Sequence, residues 1–305
     1  MKPKVIVIVG PTASGKTDLS IQLAKKLNGE IVSADSMQIY KKMSIGTAKP
    51  TEEEMQGIKH HMIDIIEPNE EFNVAKYKNM AEEKIEEILK KGKQPIIVGG
   101  TGLYIDTLVN GIEFKEIEND FEYREKMEKL AEEKGIDWLF EELKKVDIEA
   151  AQNIEKNNVR RVIRALEIYK VTGKTKTQLD RESIKGTKYN YIVFGLLWDR
   201  EELYNRINLR VDIMFKQGLL EEVKSLINNE GFSKTALQGL GYKEVVEYIE
   251  EKISYEEMIE KIKMETRRYA KRQMTWFKRN TNIIWLDAKD KVAMQKKVIE
   301  RLKND

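Results

Sequence analysis

An α/β fold with a central parallel sheet is predicted by three features of this 305-residue sequence. Apolar runs of strand length occupy residues 5–9, 30–34, 95–98 and 191–197, and helical patterns separate them, as in parallel sheets with crossover helices. The first run leads directly into a glycine-rich loop. Between residues 113 and 186 charged helical patterns replace the buried strands, which indicates an all-helical insertion in the α/β core.

Composition excludes several classes of protein. An apolar content of 41% excludes a mainly disordered chain, and the absence of cysteine excludes disulfides and thiolate metal sites. No apolar run has the length of a signal peptide or a membrane span, so we expect a cytoplasmic protein. With only two histidines, metal binding would depend on oxygen ligands, which favours Mg²⁺.

The glycine-rich loop reads GPTASGKT at residues 10–17 and fits the P-loop pattern G-x-x-x-x-G-K-[ST]. Small residues let backbone N–H groups converge on phosphate oxygens, and the following helix adds partial positive charge. Lys16 would contact the distal phosphate, and the Thr17 hydroxyl would ligate Mg²⁺. An empty strand-to-helix turn is the alternative. The predicted diphosphate- or nucleotide-binding residues are Gly10, Pro11, Thr12, Ala13, Ser14, Gly15, Lys16 and Thr17.

The domain prediction follows from the loop and the insertion. Residues 1–112 would form the first part of a P-loop NTPase-like core, and residues 113–186 the helical insertion. Residues 187–305 would complete the core and add C-terminal helices.

Two further candidate residues follow predicted strands. Asp35 comes after the strand at 30–34, and Thr101 lies in GGTGLY after the strand at 95–98. The carboxyl ends of parallel strands form one ligand-binding edge, so both residues should lie near the P-loop. Ordinary turn roles remain open for both, and Asp199 is a second candidate carboxylate. For the pair at 60–61, adjacent positions on a strand favour a structural role for at least one histidine.

Two helical stretches carry an excess of basic residues. One is the later part of the insertion, and the other covers residues 261–279, where Tyr269, Trp276 and Phe277 are interleaved with lysine and arginine. This mixture is typical of nucleic-acid contact, although a solvated helix face and core aromatics are alternatives.

The motifs together resemble the tRNA dimethylallyltransferases, also called tRNA isopentenyltransferases. They follow one another in order over nearly the whole chain, and no cysteine and histidine pattern of a zinc finger follows residue 280, so a bacterial type is expected. The matching stretches are GPTASGKT (10–17), SADSMQIY (33–40), IGTAKP (45–50), HHMID (60–64), GGTGLY (99–104), RRVIRALE (160–167), RVDIM (210–214), GLGYKE (239–244) and YAKRQMTWF (269–277).

The resemblance implies transfer of a dimethylallyl group from dimethylallyl diphosphate to N6 of adenosine 37 in tRNA. The P-loop would hold the diphosphate with Mg²⁺, and Asp35 would accept the amine proton. Thr101 would lie near the transfer point. Arg210 would stabilise the departing diphosphate, with Arg206 one helical turn away as the competing candidate.

The resemblance also implies a tRNA interface around a flipped adenine, the insertion binding the anticodon stem-loop. We expect a monomer. A small-molecule or nucleoside kinase and a noncatalytic RNA-binding module are the alternatives, and ATP binding at the loop stays open. The implied tRNA-binding residues are Asp35, Ser36, Met37, Gln38, Thr101, Arg124, Arg160, Arg161, Arg164 and Arg272.

Overall fold

A computed structural model describes residues 2–114 and 117–304 of the chain. Its sheet has six strands in the order β3-β2-β4-β1-β5-β6, with every neighbouring pair parallel. This confirms the predicted α/β class. The strands are β1 (Lys4–Val9), β2 (Gly29–Ser33), β3 (His60–His61), β4 (Gln94–Gly99), β5 (Asn190–Leu197) and β6 (Ile284–Asp287).

Helices cover both faces of the sheet and make up most of the insertion. Among the described helices none is long and apolar enough to cross a membrane. The helices are α1 (Lys16–Leu27), α2 (Glu52–Met55), α3 (Val74–Lys90), α4 (Gly102–Val109), α5 (Phe121–Lys134), α6 (Ile136–Val146), α7 (Ile148–Asn153), α8 (Val159–Thr172), α9 (Lys176–Ser183), α10 (Arg200–Lys216), α11 (Leu219–Asn229), α12 (Tyr242–Ile249), α13 (Tyr255–Phe277) and α14 (Lys291–Asn304).

The chain forms two compact units, each with its own apolar core. One comprises Met1–Val109 and Thr187–Asp305, and the other is Asn110–Gly186, which contains the insertion predicted at 113–186. In the larger unit alternate side chains of β1 enter opposite cores, with Val7 on one face and Ile8 on the other. The strand is therefore buried on both faces, as its uninterrupted apolar run predicts.

One helix boundary differs from the sequence pattern, and another agrees with it. The helical pattern across 148–169 is in fact two helices, because Asn158 caps α8 by accepting a hydrogen bond from Arg161 N. Gly218 separates α10 from α11 as predicted, and its φ of 98° is a conformation that glycine adopts without strain. The segment at 40–68, which looked irregular, also contains the short edge strand β3 and the helix α2.

A buried carboxylate organises the edge of the sheet. Glu30 on β2 is 3% exposed, and its oxygens lie 2.7 Å from His61 Nε2 and 2.8 Å from Lys93 Nζ. Burial alone would raise the pKa of Glu30, but the hydrogen bonds from Lys93 and His61 outweigh it and lower the pKa to about 2. His60 Nδ1 lies 2.8 Å from the Ile58 carbonyl oxygen, so both histidines have structural contacts. The described residues contain no cluster of three or more histidine, cysteine, aspartate or glutamate side chains that could hold a metal.

We expect Glu30→Gln to lower the free energy of unfolding by about 2 kcal/mol at pH 7, because it removes the buried carboxylate that accepts hydrogen bonds from His61 and from the partly exposed Lys93. The pKa of Glu30 is about 2 in the folded protein, compared with the ordinary value of 4.5. This stabilisation is therefore complete above pH 4.5 and is lost as the pH falls towards 2. Urea unfolding followed by circular dichroism, repeated between pH 7 and about pH 2.5, checks both the size and the direction.

The matched control is Glu67→Gln, which removes a half-exposed pair with Lys41 and should leave the unfolding midpoint unchanged. Equal effects of the two substitutions would contradict a stabilising role for the Glu30 cluster.

Candidate active site

The candidate site lies where three strands end together. Val9 of β1 pairs with Gly99 of β4, and Val98 pairs with Ser33 of β2, so the loops after these strands leave the sheet at one level. A Cβ at Gly99 would lie 2.1 Å from the Ala34 carbonyl oxygen, so glycine is required for this close approach. The register therefore brings the P-loop, the Asp35 turn and the Thr101 loop to one edge.

Contacts from outside the loop hold the P-loop in shape. Gly15 has a φ of 88° at the start of α1, a conformation that favours glycine. Trp198 Nε1 donates to the Ser14 carbonyl oxygen at 2.9 Å. Lys16 Nζ donates to the Pro11 carbonyl oxygen at 2.7 Å, so the ammonium is held inside the loop.

Two cavities open on the P-loop and share the side chains of Lys16, Thr17 and Arg210. The Asp35 cavity, of about 300 Å³, is also lined by Asp35 and Ser36. The Glu54 cavity, of about 430 Å³, lies along Ala13 to Asp18 and includes Glu54. The apolar lining of the Asp35 cavity consists of Met37, Val98, Val211, Met214, Leu240 and Ile262.

The two cations shared by these cavities, Lys16 and Arg210, have lowered pKa values. Burial, with a contribution from Arg210, lowers the pKa of Lys16 to about 8, while Asp35 opposes the shift. Burial also lowers the pKa of Arg210, and Arg206 adds to this effect, although a guanidinium keeps its proton at neutral pH. Arg210 Nη1 lies 3.4 Å from Thr12 Oγ1.

The structure separates the two candidate arginines of α10. Arg206 is exposed, lines only the Glu54 cavity, and lies over the Trp198 ring at 4.5 Å from its centroid. Its Nε donates to the Ala13 carbonyl oxygen at 2.9 Å. Arg210 lines both cavities, so it is the arginine that faces the space beside Asp35.

The two carboxylate oxygens of Asp35 differ in their hydrogen bonds. Oδ1 accepts hydrogen bonds from Met37 N at 2.9 Å and Gln38 N at 3.4 Å, whereas Oδ2 accepts none from the described residues. The turn role and the cavity position therefore coexist. Asp199, the other candidate, is exposed at the start of α10, pairs with Lys289 at 2.5 Å, and lines neither cavity.

Thr101 contacts the Asp35 turn directly. Its Oγ1 accepts from Ser36 N at 3.0 Å and lies 3.3 Å from Ser36 Oγ. The side chain of Gln38 is fixed in orientation, because its Nε2 donates to the carbonyl oxygens of Thr47 and Ala48 at 3.3 Å each. Asp35, Ser36, Met37 and Gln38 all line the Asp35 cavity, while Thr101 lies behind Ser36.

Comparison with known proteins gives a family. The model of the IPP transferase family matches residues 38–280. The chain belongs to the IPP transferase family. A tRNA dimethylallyltransferase of Acetivibrio thermocellus is 52% identical over 302 residues, which cover 98% of this chain and 96% of that protein.

Solved structures agree with this assignment. The full-length tRNA isopentenylpyrophosphate transferase of Bacillus halodurans aligns with a TM-score of 0.74 and 42% identity, covering 99% of this chain and 98% of that one. A eukaryotic dimethylallyltransferase described as acting on tRNA aligns with a TM-score of 0.77 and 35% identity, covering 94% of this chain and 74% of that one. The family predicted from the motifs is confirmed.

Two motifs of this IPP transferase for which we predicted no role support the wall of the Asp35 cavity: IGTAKP (45–50) and GLGYKE (239–244). The Glu222 carboxylate accepts hydrogen bonds from the backbone N–H groups of Ser44, Ile45 and Gly46 at 2.8–3.2 Å. The Tyr242 hydroxyl donates to the same carboxylate at 2.6 Å, and its ring leaves no room for a Cβ at Gly46. Pattern reasoning missed Glu222, since nothing in its local sequence marks a residue that caps a distant loop.

The aromatic residues of α13 have different environments. Phe277 is 1% exposed in the core, which favours the structural alternative for that residue. Trp276 Nε1 donates to Asp106 Oδ2 at 2.8 Å. Tyr269 lines the Asp35 cavity, where burial and the nearby Asp35 raise the pKa of its hydroxyl, and Arg272 lies over its ring.

Much of the basic charge on α13 is neutralised by other helices. Lys261 pairs with Glu247 of α12, and Lys263 pairs with Asp212 of α10 at 2.9 Å. The exposed basic side chains without an ion pair in the described chain lie towards the end of the helix, and Arg272 is the one that also lines the Asp35 cavity.

The predicted tRNA-binding arginines of the insertion fall into two groups. Arg124 Nε and Arg164 Nη1 donate to the fully buried Glu167 at 2.9 and 2.5 Å. Burial alone would raise the pKa of Glu167, but these hydrogen bonds lower it. Arg160 and Arg161 are exposed and have no ion pair within residues 2–114 and 117–304. The lysines of this stretch pair with acids, as Lys156 with Asp137, Lys170 with Asp120, Lys174 with Glu182, and Lys176 with Asp180.

Binding of inorganic diphosphate should weaken as the pH rises through about 8, because Lys16 then loses its proton in the free protein. Isothermal titration calorimetry between pH 6.5 and 9.5 measures this. Lys16→Arg stays charged throughout, so subtracting its profile removes the ionisation of diphosphate itself. Lys16→Met should bind weakly at every pH. Parallel profiles for the wild-type protein and Lys16→Arg would show that Lys16 is not the titrating contact.

Proposed function

We propose that this chain transfers the dimethylallyl group of dimethylallyl diphosphate to N6 of adenosine 37 in tRNA and releases diphosphate. The relatives are named as tRNA dimethylallyltransferases and the family as IPP transferases, which supports dimethylallyl transfer to tRNA. The observation that carries the proposal is the single cavity shared by the Asp35 carboxylate and the cations Lys16 and Arg210.

The reaction needs a stabilised leaving group and a proton acceptor. Backbone N–H groups of the P-loop, with Lys16 and Arg210, would hold the diphosphate. As the C1–O bond of the allyl diphosphate breaks, negative charge grows on the diphosphate, and fixed cations favour this transition state over the ground state. The N6 lone pair forms the new bond to C1, and the amine proton passes to Asp35 Oδ2, which accepts no hydrogen bond from the described residues.

The acceptor adenine must leave the anticodon loop to reach the cavity. Unstacking a base from a single-stranded loop costs less than opening a duplex, so base flipping is a feasible route. Ser36 and Met37 line the Asp35 cavity and would contact the flipped base or its neighbour, and the apolar lining of this cavity suits a five-carbon chain. Arg272 would add a phosphate contact beside this entrance.

Mg²⁺ is part of the proposal through Thr17. The Thr17 side chain lines both cavities, and its hydroxyl is a hard oxygen ligand of the kind Mg²⁺ prefers. No acidic cluster is available among the described residues, so diphosphate and water would supply the other ligands. When bound, the ion would neutralise diphosphate charge. Because the proposed substrate is tRNA, we also propose a cytoplasmic location, and we keep the expectation of a monomeric enzyme.

The kinase alternative is not favoured, because the relatives that cover nearly the whole chain are named tRNA dimethylallyltransferases and not kinases. A noncatalytic RNA-binding module would not require Asp35 and the P-loop cations to share one cavity. The test is to incubate the protein with ATP and, separately, with labelled dimethylallyl diphosphate and unmodified tRNA. Transfer of phosphate from ATP, with no label appearing in tRNA, would support the kinase alternative.

Asp35→Asn should reduce turnover by about 10²–10⁴-fold, because the isosteric amide keeps the turn hydrogen bonds at Oδ1 but cannot accept the amine proton. Mass spectrometry of nucleosides from tRNA treated with enzyme and dimethylallyl diphosphate measures the product. Binding of tRNA in a filter assay should change by less than about 3-fold, since a single neutralised side chain removes no phosphate contact.

Asp199→Asn is the matched control, since this aspartate also follows a strand but lines neither cavity. It should retain wild-type turnover. Full activity in Asp35→Asn would exclude Asp35 as the proton acceptor.

Reversing the charge of Arg160 and Arg161 together should lower tRNA affinity and flatten its dependence on salt by about 1–2 units of log–log slope, because phosphate contacts release counterions. Filter binding between 50 and 300 mM KCl would measure the slope.

The control is Lys144→Glu with Lys145→Glu, an equal charge change on α6 at exposed lysines that pair with Glu141 and Glu142. If the control flattens the slope as much, net charge and not these arginines determines tRNA affinity.

A further inference from the structure

Gln273 of α13 joins the two loops that flank the candidate site. The side chain is 5% exposed. Its Oε1 accepts a hydrogen bond from Thr12 N at 2.9 Å, and its Nε2 donates to the Gly100 carbonyl oxygen at 2.9 Å. The amide orientation is fixed by these partners, because the flipped amide would face a donor with a donor and an acceptor with an acceptor.

The two bonds join loops with different tasks. Thr12 belongs to the P-loop, and Gly100 immediately precedes Thr101, whose hydroxyl contacts the Asp35 turn through Ser36 N. The fit is close, since a Cβ at Gly100 would lie 2.1 Å from Gln273 Nε2. Gly100 does not have a left-handed φ, so this contact and not backbone strain disfavours a side chain there.

The neighbours of Gln273 strengthen this arrangement. Tyr269, one helical turn earlier on α13, lines the Asp35 cavity close to the side chains of Thr101 and Gln273. Thr12, whose backbone N–H donates to Gln273, also has its hydroxyl 3.4 Å from Arg210 Nη1. A displacement of Gln273 would thus alter the cation side and the Thr101 side of the cavity together.

We propose that Gln273 is a positioning residue that sets the distance between the P-loop and the Thr101 loop, so that C1 of the dimethylallyl diphosphate and the attacking amine stay aligned. This inference rests on the proposed function. Gln273 touches neither reacting group in this role and acts through Thr12 and Gly100. Small misplacements of reacting atoms cost about 10²-fold in rate, whereas binding of each substrate separately depends less on their mutual distance.

The test uses Gln273→Met, which keeps the length of the side chain and removes both hydrogen bonds, and Gly100→Ala, which displaces the amide from the opposite element. Single-turnover transfer to tRNA should fall by about 10–100-fold in Gln273→Met, while the Kd for inorganic diphosphate changes by less than about 3-fold. Thermal unfolding monitored by circular dichroism gives the folded fraction by which each rate is corrected.

The double variant distinguishes a shared contact from two independent defects. Gln273→Met with Gly100→Ala should be no slower than the slower single variant, because the same hydrogen bond is already absent. Multiplying losses, or wild-type rates per folded molecule, would overturn the proposal. If Gln273→Met does not fold, Gly100→Ala alone decides, since the proposal requires a reduced rate with unchanged diphosphate affinity.

Gln217→Met is the matched control, an exposed glutamine at the end of α10 without a side-chain hydrogen bond in the described chain, and it should retain the wild-type rate. Absence of transfer by the wild-type protein would refute the proposed function. Transfer by the wild-type protein with unaffected Gln273 and Gly100 variants would refute only the positioning role.

Discussion

The parallel register at the ends of β1, β2 and β4 is the constraint on which the site depends. Gly99 lies against the Ala34 backbone, and this approach lets Thr101 N reach the Ala34 carbonyl oxygen at 3.2 Å. A side chain at Gly99 would separate β4 from the Asp35 turn, and the three loops would no longer share an edge. The sheet thus fixes the relative positions of Asp35 and the P-loop, which follow different strands in the chain.

The parts of the site that sequence reasoning could predict are those encoded locally. The P-loop has its own pattern, and strand ends show where Asp35 must emerge, so its neighbourhood with Lys16 follows from topology alone. The choice between Asp35 and Asp199 could not be made in this way. Both follow strands, and only the packing of α10 shows that Asp199 pairs with Lys289 away from both cavities.

Contacts between distant elements account for what the sequence left open. The basic excess of the insertion counted along the chain ignores acids on neighbouring helices, so Arg124 and Arg164 resembled Arg160 although they bind the buried Glu167. The strand β3 has only two residues and no alternating pattern, and it exists because β2 offers it a partner. Glu222 and Gln273 escaped notice for the same reason: the backbone groups that they bind lie more than 150 residues away in the chain.

The contact between Lys16 and the Pro11 carbonyl oxygen has a consequence for ligand capture. A long flexible side chain normally loses rotational freedom when it meets an anion, but here folding has already restricted it. A phosphate oxygen bound here, as we propose, would replace the carbonyl as the partner of Lys16 and would not have to order a mobile cation. The P-loop would then act as a preorganised receptor, and the entropy cost of immobilising Lys16 would belong to folding, not to binding.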